Sequence, residues 1–427
     1  MITISTKNDA QLTIEILEAI TTGYDRDDFA VRLWNGTTWG NSDDPRFVLV
    51  LKHPGALRKM FLSPSELALG EAFIYDDFDI EGDAEAAFDL AGYLVAGERT
   101  ITERLRLAGL LRKLPDKATT SARIGVPEWH GTPHSRERDS QAVRYHYDVS
   151  NDFYSLWLDP RMVYSCAYFK SAEDSLETAQ EQKLDYVCRK LRLRRGDHLL
   201  DLGCGWGGLM EYAATHYGAQ AFGVTLSVPQ AKMARERFHQ AGVSDRCKVE
   251  VSDYRSLDAS QRYDKIVSIG MFEHVGEALL PEYFRQAWGL LRPGGVFLNH
   301  GIAASATFKR KGRSFIDKYV FPDGELVTLH ATLQAAETCG FEVRDVESLR
   351  EHYVLTLRHW VRGLEAKAVQ ARDLTSDITY RVWRLYMSGS AHGFKTGRMS
   401  VFQTLLARPE QGESRLPLTR EDWYAAV

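Results

Sequence analysis

The sequence predicts an α/β protein of two domains, the second of which holds a mostly parallel β-sheet with helices on both faces. Two observations support this prediction. From Gly196 onward, strand-like apolar runs alternate with helix-like runs, a pattern typical of parallel strands joined by helical crossovers. The chain also has 427 residues, which is more than one ordinary hydrophobic core accommodates.

The first domain is predicted to span residues 1–120 as an independent α/β unit. Its stretch "RFVLVLKHPGALRKMFL" indicates a strand, a turn and a short helix, and "LALGEAFIYDDFDIEGDAEAAFDLAGYLVAG" adds an aromatic and acidic stretch before a further helix. Residues 114–140 are polar, hold three prolines and show no apolar periodicity, which is typical of an exposed connection. We therefore place a linker at 121–140 and the second domain at 141–427.

The elements of the second domain follow in order. Its first four strands are assigned to "DHLLDLG", "AQAFGVTLS", "CKVEVSD" and "YDKIVSIGMFEHV", with helices "GGLMEYAATHYG" and "VPQAKMARERFHQAG" after the first and second strands. The run "PEYFRQAWGLLRPGG" is predicted to be a helix that ends at glycine. Further strands are predicted at "GVFLNHGIA" and "MSVFQTLLARP".

Composition excludes several classes of protein. No uncharged apolar run of about 18 residues is present to span a bilayer, and the N-terminus lacks the pattern of a secretory signal, so we expect cytoplasmic residence. The net charge of -5 argues against a nucleic-acid-binding protein. Free thiols and no structural metal are expected because the cysteines show no paired spacing; they are Cys166, Cys188, Cys204, Cys247 and Cys339.

The glycine-rich stretch "DLGCGWGG" has two interpretations. Gly203, Gly205 and Gly208 fit the G-x-G-x-x-G fingerprint of dinucleotide-binding proteins. Gly203, Gly205 and Gly207 fit the loop of S-adenosylmethionine-dependent methyltransferases. The glycines serve either cofactor, because they allow a close approach of the backbone and precede a helix N-terminus with free amides.

The residues around the glycines favour S-adenosylmethionine. A nicotinamide site usually places an Asp or Glu about 20 residues further on, at the end of the second strand. That position here reads "GVTLS", without a carboxylate. Instead, Asp201 precedes the glycines, and Asp253 and Tyr254 follow the third strand, where an adenine would lie. A glycine turn that only packs a helix on a strand is the alternative.

Motifs over most of residues 140–400 resemble those of the cyclopropane-fatty-acyl-phospholipid synthases. In order they are "YSCAYF", "DLGCGWGG", "GVTLS" with Gln230, "SDYR", "GMFEHVG", "FLNHGI", "DKYVFPDG" and "EHYVLTLRHW". The stretch "LALGEAFIYDDFDIEG" resembles the N-terminal lipid-binding domain of the longer, phospholipid-acting members. The resemblance implies a class I S-adenosylmethionine methyltransferase fold, Rossmann-like with a seven-stranded mostly parallel sheet, behind a smaller N-terminal α/β lipid-binding domain.

The resemblance also implies an activity. The family transfers a methylene group from S-adenosylmethionine to the cis double bond of unsaturated acyl chains of membrane phospholipids, which forms a cyclopropane ring. An alkene is a poor nucleophile, so the protein must hold it in line with the activated methyl group. Because attack leaves a carbocation, the site must also exclude water. A base then removes a proton, and in this family the base is a bound bicarbonate.

Candidate site residues come from the same resemblance. The residues that match the catalytic, bicarbonate-binding set are Cys166, Glu273, His300, Ile302 and Tyr353. The residues that match the cofactor-binding set are Tyr164, Ser165, Asp201, Gly203, Gly205, Thr225, Leu226, Gln230, Asp253 and Tyr254. Hydrogen-bond donors beside a carboxylate suit a small oxyanion acid, and no metal is implied.

Simpler interpretations of single residues stay open. Glu273 and His274 also fit a helix cap, and Cys166 also fits an inert buried thiol. His300 also fits a structural residue at a strand end, and only its co-occurrence with the others favours catalysis. Ser390 stands where many family members carry a cysteine, which removes a covalent cysteine role at that position.

Two basic stretches predict reversible contact with the inner face of the membrane. Residues 99–117 mix arginines with leucines at helical spacing, and residues 308–318 place basic beside aromatic side chains. The basic residues of the second stretch are Lys309, Arg310, Lys311 and Arg313. Each attracts anionic headgroups by about 1 kcal/mol, so neutralising these four should weaken liposome binding. A solvated helix face is the alternative, and the resemblance further implies a homodimer.

Three other functions stay open. The same first step followed by proton loss elsewhere would give a methylene- or methyl-branched chain. A small-molecule methyltransferase is disfavoured by the lipid-type first domain. A non-catalytic lipid-binding protein is disfavoured because Glu273, His300 and Tyr353 are all present.

Overall fold

The computed structural model describes residues 2–41, 43–96, 100–116, 130–132, 134–147, 149–307 and 314–424. In chain order the strands are β1 (Phe29–Arg32), β2 (Thr38–Gly40), β3 (Phe47–Leu51), β4 (Phe78–Gly82), β5 (His198–Leu202), β6 (Gln220–Thr225), β7 (Cys247–Val251), β8 (Tyr263–Ile269), β9 (Leu291–Ala304), β10 (Glu342–Ser348) and β11 (Met399–Ala407).

The first half of the chain holds the helices α1 (Ile2–Thr21), α2 (Ala56–Phe61), α3 (Glu66–Ile74), α4 (Ala84–Ala96), α5 (Ile101–Lys113), α6 (Arg136–Tyr147), α7 (Asn151–Ser155), α8 (Leu176–Lys190) and α9 (Gly208–Tyr212). Later helices are α10 (Val228–Gln240), α11 (Leu280–Leu290), α12 (Phe315–Tyr319), α13 (Leu329–Thr338), α14 (Arg350–Ala366), α15 (Ala368–Leu374), α16 (Asp377–Lys395) and α17 (Glu421–Tyr424). A π-helical turn, Ala213–Tyr217, follows α9, and 3-10 turns occupy Tyr254–Ser256, Phe272–His274 and Glu277–Leu279.

The described residues of 1–127, 311–320 and 376–392 pack into a first compact unit. Its sheet has the order β2-β1-β3-β4, in which β1 and β3 are parallel and the other neighbours are antiparallel. The predicted strand, turn and short helix are β3 and α2, and the predicted later helix is α4. This first unit is therefore a small α/β assembly, as predicted.

Most of α16 belongs to this first unit through Arg381, which is 5% exposed. Its guanidinium donates to the carbonyl oxygen of Phe73 at 2.9 Å and to the carboxylates of Asp76 and Asp79 at 2.6 and 2.9 Å. A buried charge left unpaired would cost several kcal/mol, so these partners fix the helix in place. Packing thus adds residues 376–392 to this unit. The domain boundaries 1–120, 121–140 and 141–427 stay a prediction.

The second unit contains the described residues of 128–310, 321–375 and 393–427. Its seven-stranded sheet has the order β10-β11-β9-β8-β5-β6-β7. The strands from β9 to β7 in this order run parallel, and β11 is antiparallel to both β9 and β10. The predicted fold class, a Rossmann-like sheet of seven mostly parallel strands, is confirmed.

The central strands of this sheet are buried on both faces. On β9, Val296 and Leu298 enter the core beneath α8, α9 and α10, whereas Phe297 enters the core beneath α11 and α13. A strand covered on both faces is apolar at nearly every position, which explains the continuous apolar runs of the sequence. Each fully buried side chain of this size contributes ~1.5–3 kcal/mol.

One predicted boundary is wrong. Helix α11 ends at Leu290 and β9 begins at Leu291, so "LRPGG" belongs to the strand and not to a helix that ends at glycine. Leu291 pairs with Tyr263, and the register shifts before Lys265 pairs with Val296. The pairing with β8 therefore overrides the local helix-stop signal.

No helix within the described residues is long and apolar enough to cross a membrane. The same residues contain no group of three or more His, Cys, Asp or Glu side chains that could hold a metal ion. The five cysteines all lie in described segments and are unpaired.

Candidate cofactor cavity and active site

The loop after β5 adopts backbone conformations that favour glycine. Gly203 has a φ of 88°, and a Cβ there would lie 2.8 Å from the Cβ of Met271. Gly207 has a φ of 78°, and a Cβ there would lie 2.7 Å from the ring of Phe238. Gly205 has a φ of 53° with nothing within 4 Å of a Cβ position. Packing therefore requires Gly203 and Gly207, whereas Gly205 borders open space that a ligand can enter.

The glycines do not distinguish the two cofactor interpretations, but the residues at the end of β6 do. Gly208 also has a packing reason to be glycine, since a Cβ there would lie 2.9 Å from the carbonyl oxygen of Arg161. Strand β6 ends at Thr225, whose hydroxyl donates to Gln230 Oε1 at 2.7 Å. A nicotinamide site places a carboxylate at this point, so the geometry favours S-adenosylmethionine.

A cavity lies at the carboxyl ends of the parallel strands, which is where open α/β sheets bind ligands. All ten predicted cofactor residues line it: Tyr164, Ser165, Asp201, Gly203, Gly205, Thr225, Leu226, Gln230, Asp253 and Tyr254. The fold thus brings together residues that are up to ninety positions apart in the sequence. Their individual contacts with a cofactor stay a prediction.

Asp253 is held in one orientation by Arg255. The Arg255 backbone N–H and Nε both donate to Asp253 Oδ1 at 2.9 Å, and Nη2 donates to Oδ2 at 2.6 Å. Arg255 Nη2 also donates to Asp139 at 2.9 Å. Burial opposes ionisation of Asp253, but the hydrogen bonds from Arg255 outweigh it and hold the pKa of this carboxyl below its usual value. A fixed, ionised carboxylate accepts hydrogen bonds, so it suits the exocyclic amino group of the adenine expected after the third strand.

Sequence reasoning missed several residues of the cavity wall, including Asp139, Tyr147, Lys183, Trp206 and Arg255. Asp139 and Tyr147 lie on α6, which begins inside the segment predicted as a linker. Trp206 and Arg255 lie inside the quoted motifs and were open to inference from their neighbours. Lys183 carries no local signal, because only the packing of α8 brings it to the cavity.

The five predicted catalytic residues are joined by a short chain of contacts around Leu349. The carbonyl oxygen of Leu349 accepts from the Cys166 thiol at 3.6 Å and from the Tyr353 backbone N–H at 3.0 Å. The Leu349 N–H donates to Val401, the register partner of Ile302 on β9. Ile302 donates its N–H to Glu273 Oε1 at 2.8 Å.

His300 completes this group from the same strand. It lies two residues before Ile302 on β9, so both face one side of the sheet. Its carbonyl oxygen accepts from Gly270, which lines the cavity. The five residues therefore adjoin the cofactor cavity without forming its lining.

Two buried polar atoms of this group lack a partner among the described residues, Glu273 Oε2 and His300 Nε2. Gln403 Nε2 donates to His300 Nδ1 at 3.2 Å, which leaves the ring proton on Nε2. Burial, with a smaller effect of Lys183, lowers the pKa of His300 well below its usual value, so the imidazole is neutral. Burial raises the pKa of Glu273 to about 7, although the Ile302 N–H opposes this. One buried donor and one buried acceptor of this group are thus left without a protein partner in the described residues.

Cys166 does not have the environment of a nucleophile. Its side chain is fully buried, and burial raises the pKa of the thiol well above its usual value. Because the thiolate is the reactive form, such a thiol is inert. Cys166 is therefore poorly suited to act as a nucleophile, and its S–H donates to the carbonyl oxygen of Leu349.

An aromatic cluster encloses Tyr164 at the cavity wall. Its ring centroid lies 5.1 Å from that of Trp360, 5.4 Å from Trp157 and 5.5 Å from Tyr154. The Trp206 ring centroid lies 5.1 Å from that of Tyr154. Such a cluster excludes water, and an aromatic side chain at the wall can stabilise a positive charge beside it.

Some predicted residues lie elsewhere. Lys309, Arg310, Lys311 and Arg313 fall outside the described residues. Ser390 lies on α16, is 4% exposed and belongs to the first unit.

Comparisons with known proteins give a consistent result. The family model described as mycolic acid cyclopropane synthetase matches residues 134–404. A probable fatty acid methyltransferase of Pseudomonas putida is 42% identical over 401 residues, which cover 92% of this chain and 95% of that protein. The cyclopropane-fatty-acyl-phospholipid synthase of Escherichia coli K12 is 36% identical over 301 residues, which cover 70% of this chain and 76% of that protein.

One solved structure is similar to a large part of this chain. Mycolic acid cyclopropane synthase CmaA1, complexed with SAH and CTAB, superposes with a TM-score of 0.60 at 35% identity. The match covers 62% of this chain and 97% of CmaA1. With its seven-stranded sheet, its glycine-lined cavity and these matches, the chain belongs to the cyclopropane synthase family of S-adenosylmethionine-dependent methyltransferases that act on lipid acyl chains.

Proposed function

We propose that this enzyme transfers a methylene group to the cis double bond of unsaturated acyl chains of membrane phospholipids and forms a cyclopropane ring, with bound bicarbonate as the base. S-adenosylmethionine supplies an activated methyl group when bound, and bicarbonate supplies a proton acceptor beside it. The residues of the chain bind and orient both groups and exclude water.

The observation that carries this proposal is the pair of buried, unpartnered atoms Glu273 Oε2 and His300 Nε2. Bicarbonate has one hydroxyl donor and several acceptor oxygens, so it requires one acceptor and at least one donor from the protein. Glu273 Oε2 would accept from the hydroxyl, and the His300 Nε2–H would donate to an oxygen. Because the Ile302 N–H fixes Glu273 Oε1, the other oxygen is free for this role.

The aromatic wall around Tyr164 supports the acyl-chain part of the proposal. A carbocation on an alkyl chain is captured by any water that reaches it, so the reaction requires a dry site. Trp157 and Trp360, which are 2% and 0% exposed, pack against Tyr164, and Tyr164 lines the cavity, so this part of the wall is closed to water. Tyr164 supplies an aromatic side chain that can stabilise positive charge in the cavity.

A second candidate is transfer of the same carbon to give a methyl- or methylene-branched acyl chain. The Pseudomonas putida relative, which spans nearly all of this chain, is named a probable fatty acid methyltransferase. Both candidates share the methyl transfer and the carbocation. Loss of a proton from a chain carbon would then leave a methyl-branched alkene, whereas a 1,2-hydride shift followed by loss of a proton from the transferred methyl group would leave a methylene branch. Which proton is lost depends on the position of the base to within about an ångström.

The test is to incubate the purified protein with S-adenosylmethionine and liposomes of a cis-unsaturated phospholipid, in carbonate-free buffer and after addition of bicarbonate. Released acyl chains are analysed by mass spectrometry and proton NMR. We expect a gain of one CH2 with upfield cyclopropyl protons, at a rate that rises with bicarbonate. Glu273→Gln should lose this activity about 100-fold or more. The matched control Glu277→Gln, at an exposed carboxylate four residues on, should retain it.

The outcomes separate the candidates. Olefinic methylene or methyl-branch signals at the same mass gain would establish the second candidate. No mass gain from any cis-unsaturated phospholipid would reject phospholipid as the acceptor. A rate that is unchanged by bicarbonate would reject bicarbonate as the base.

We also propose that the enzyme reaches its substrate by reversible binding to the inner face of an anionic membrane. Helix α5 supports this part of the proposal, because it exposes Ile101 and Leu105 beside arginine side chains. Exposed apolar side chains flanked by basic ones are typical of interfacial helices. A homodimer stays a prediction.

A further inference from the structure

Lys183 on α8 places a buried ammonium group at the cofactor cavity. The residue is 1% exposed, lines the cavity with Ser165, and donates from Nζ to Ser165 Oγ at 2.9 Å. Over the described parts of the chain this is the only hydrogen bond of the ammonium, and it forms no ion pair. An ammonium has three N–H donors, so two remain for a ligand in the cavity.

Asp201 presents the opposite charge to the same cavity. It is 3% exposed and stands in β5 just before the glycine loop. Its carboxylate has no hydrogen-bond or ion-pair partner among the residues that the structure describes. Burial raises the pKa of Asp201 to about 7, and the Lys183 charge opposes part of this rise. Burial lowers the pKa of Lys183 to about 8, although Asp159 opposes it. Each group therefore lacks a counter-charge in direct contact.

We propose that Lys183 and Asp201 recognise the amino-acid end of the cofactor, in which Lys183 binds the α-carboxylate and Asp201 binds the α-ammonium. This inference rests on the cofactor named in the proposed function and assigns one of its contacts to Lys183. A zwitterion requires one cation and one anion from the protein. The other cation of the cavity wall, Arg255, is already paired with Asp139 and Asp253.

Helix α8 fixes the geometry of this site. One turn before Lys183, the Gln180 side-chain amide donates to the carbonyl oxygens of Val163 and Ser165 at 3.2 and 2.9 Å. Because Ser165 Oγ accepts from Lys183, its own hydroxyl proton is available to the same carboxylate. Lys183 and Ser165 thus form a positioned pair of donors, and little ordering is required when the ligand binds.

The test compares two ligands by isothermal titration calorimetry. S-adenosylhomocysteine carries the amino-acid end, whereas 5′-methylthioadenosine shares the adenosine thioether and lacks that end. Lys183→Met keeps the aliphatic stem and removes the charge. We expect the affinity for S-adenosylhomocysteine to fall about 30- to 100-fold, as for loss of a charge-assisted hydrogen bond. The affinity for 5′-methylthioadenosine should change by less than about 2-fold, because that ligand makes no contact with Lys183.

Two further variants keep the test decisive. Lys190→Met is the matched control: Lys190 lies on the same helix and is fully buried, but it pairs with Glu347 and does not line the cavity. It should leave the affinity for S-adenosylhomocysteine unchanged. Asp201→Asn, which is nearly isosteric, should show the same ligand selectivity as Lys183→Met and replaces it if that variant does not fold. Thermal unfolding of each variant without ligand reports on folding.

The contrary outcomes are distinct. Equal losses for both ligands would mean that Lys183 only supports the shape of the cavity and would overturn the inference. Unchanged binding of S-adenosylhomocysteine would overturn it as well. Failure of the unmodified enzyme to bind either ligand would instead contradict the cofactor cavity on which the proposed function relies.

Discussion

At the scale of single residues, the candidate active site depends on a carboxyl group held in an apolar environment. Glu273 accepts the Ile302 N–H through Oε1, and its second oxygen is buried without a partner in the described part of the chain. Ionisation in such a place is costly because the charge loses its hydration. The group is thus poised to exchange a proton near neutral pH.

The Glu273→Gln variant should change the pH dependence of stability. Burial raises the pKa of Glu273 from 4.5 to about 7, so the folded protein binds this proton more tightly than the unfolded chain does. Stability of the native enzyme should therefore fall as the pH rises from about 4.5 to about 7, by on the order of 3 kcal/mol, and fall no further from this cause above that range. The glutamine variant keeps the bond to Ile302 and lacks this loss.

Urea unfolding of both proteins at pH 5 and pH 8 measures the effect. The variant should gain stability relative to the native enzyme between these two values, and other titrating groups cancel in the difference. A difference that is the same at both pH values would show that Glu273 is solvated in the folded protein.

At the scale of elements, the loop between β5 and α9 combines glycines with different tasks. Gly203 is constrained by Met271, whereas Gly205 faces open space in the cavity. The same residue type therefore serves packing at one position and ligand access at another. Alanine substitutions separate the two tasks because each adds one methyl group at a known place.

Gly203→Ala should destabilise the fold by about 3 kcal/mol, because both the positive φ and the contact with Met271 are unfavourable. Gly205→Ala should cost only about 1–2 kcal/mol, for the positive φ alone. It should nevertheless weaken S-adenosylhomocysteine binding about 10-fold or more, since the methyl group enters the space of the ligand. Thermal unfolding and calorimetry measure the two effects. Tight binding by Gly205→Ala would place the ligand away from this loop.

Strand β9 positions two of the predicted catalytic residues. His300 and Ile302 lie two positions apart on one face, and β11 supplies Gln403 opposite His300. The amide of Gln403 then sets the tautomer of the imidazole. The sequence indicated this strand, but its pairing with β11 selected the partner of the histidine.

At the scale of the whole molecule, the first unit exposes an apolar surface at the start of α5. Ile101 and Leu105 are 79% and 69% exposed. They lie four positions apart and share a helix face. The proposed membrane contact assigns this face to lipid, with the neighbouring arginines at the headgroups.

The double variant Ile101→Ser/Leu105→Ser should bind anionic liposomes about 10-fold more weakly or worse, because it loses apolar burial of up to ~1.5–3 kcal/mol per side chain. The matched control is Val369→Ser on α15 of the second unit, where the valine is also 69% exposed. Sedimentation with vesicles measures binding. Equal binding by the double variant and its control would exclude this face as the membrane contact.

The sequence by itself determined the alternation of strands and helices, the glycine loop and the motifs that identify the family. These are local patterns: apolar runs follow from strands buried on both faces, and glycines follow from backbone conformations within a few residues. The ten predicted cofactor residues lie on such motifs, and one cavity contains all of them.

Only the tertiary structure decided what depends on contacts between distant segments. The segment "LRPGG", predicted to end a helix, belongs to β9 instead, because β9 pairs with β8 from Leu291 onward. Lys183 lies at the cavity because α8 packs against the loop that contains Ser165. Helix α16 belongs to the first unit because Arg381 forms ion pairs there with Asp76 and Asp79. Burial and charge pairing arise from the whole fold, so no local pattern of residues encodes them.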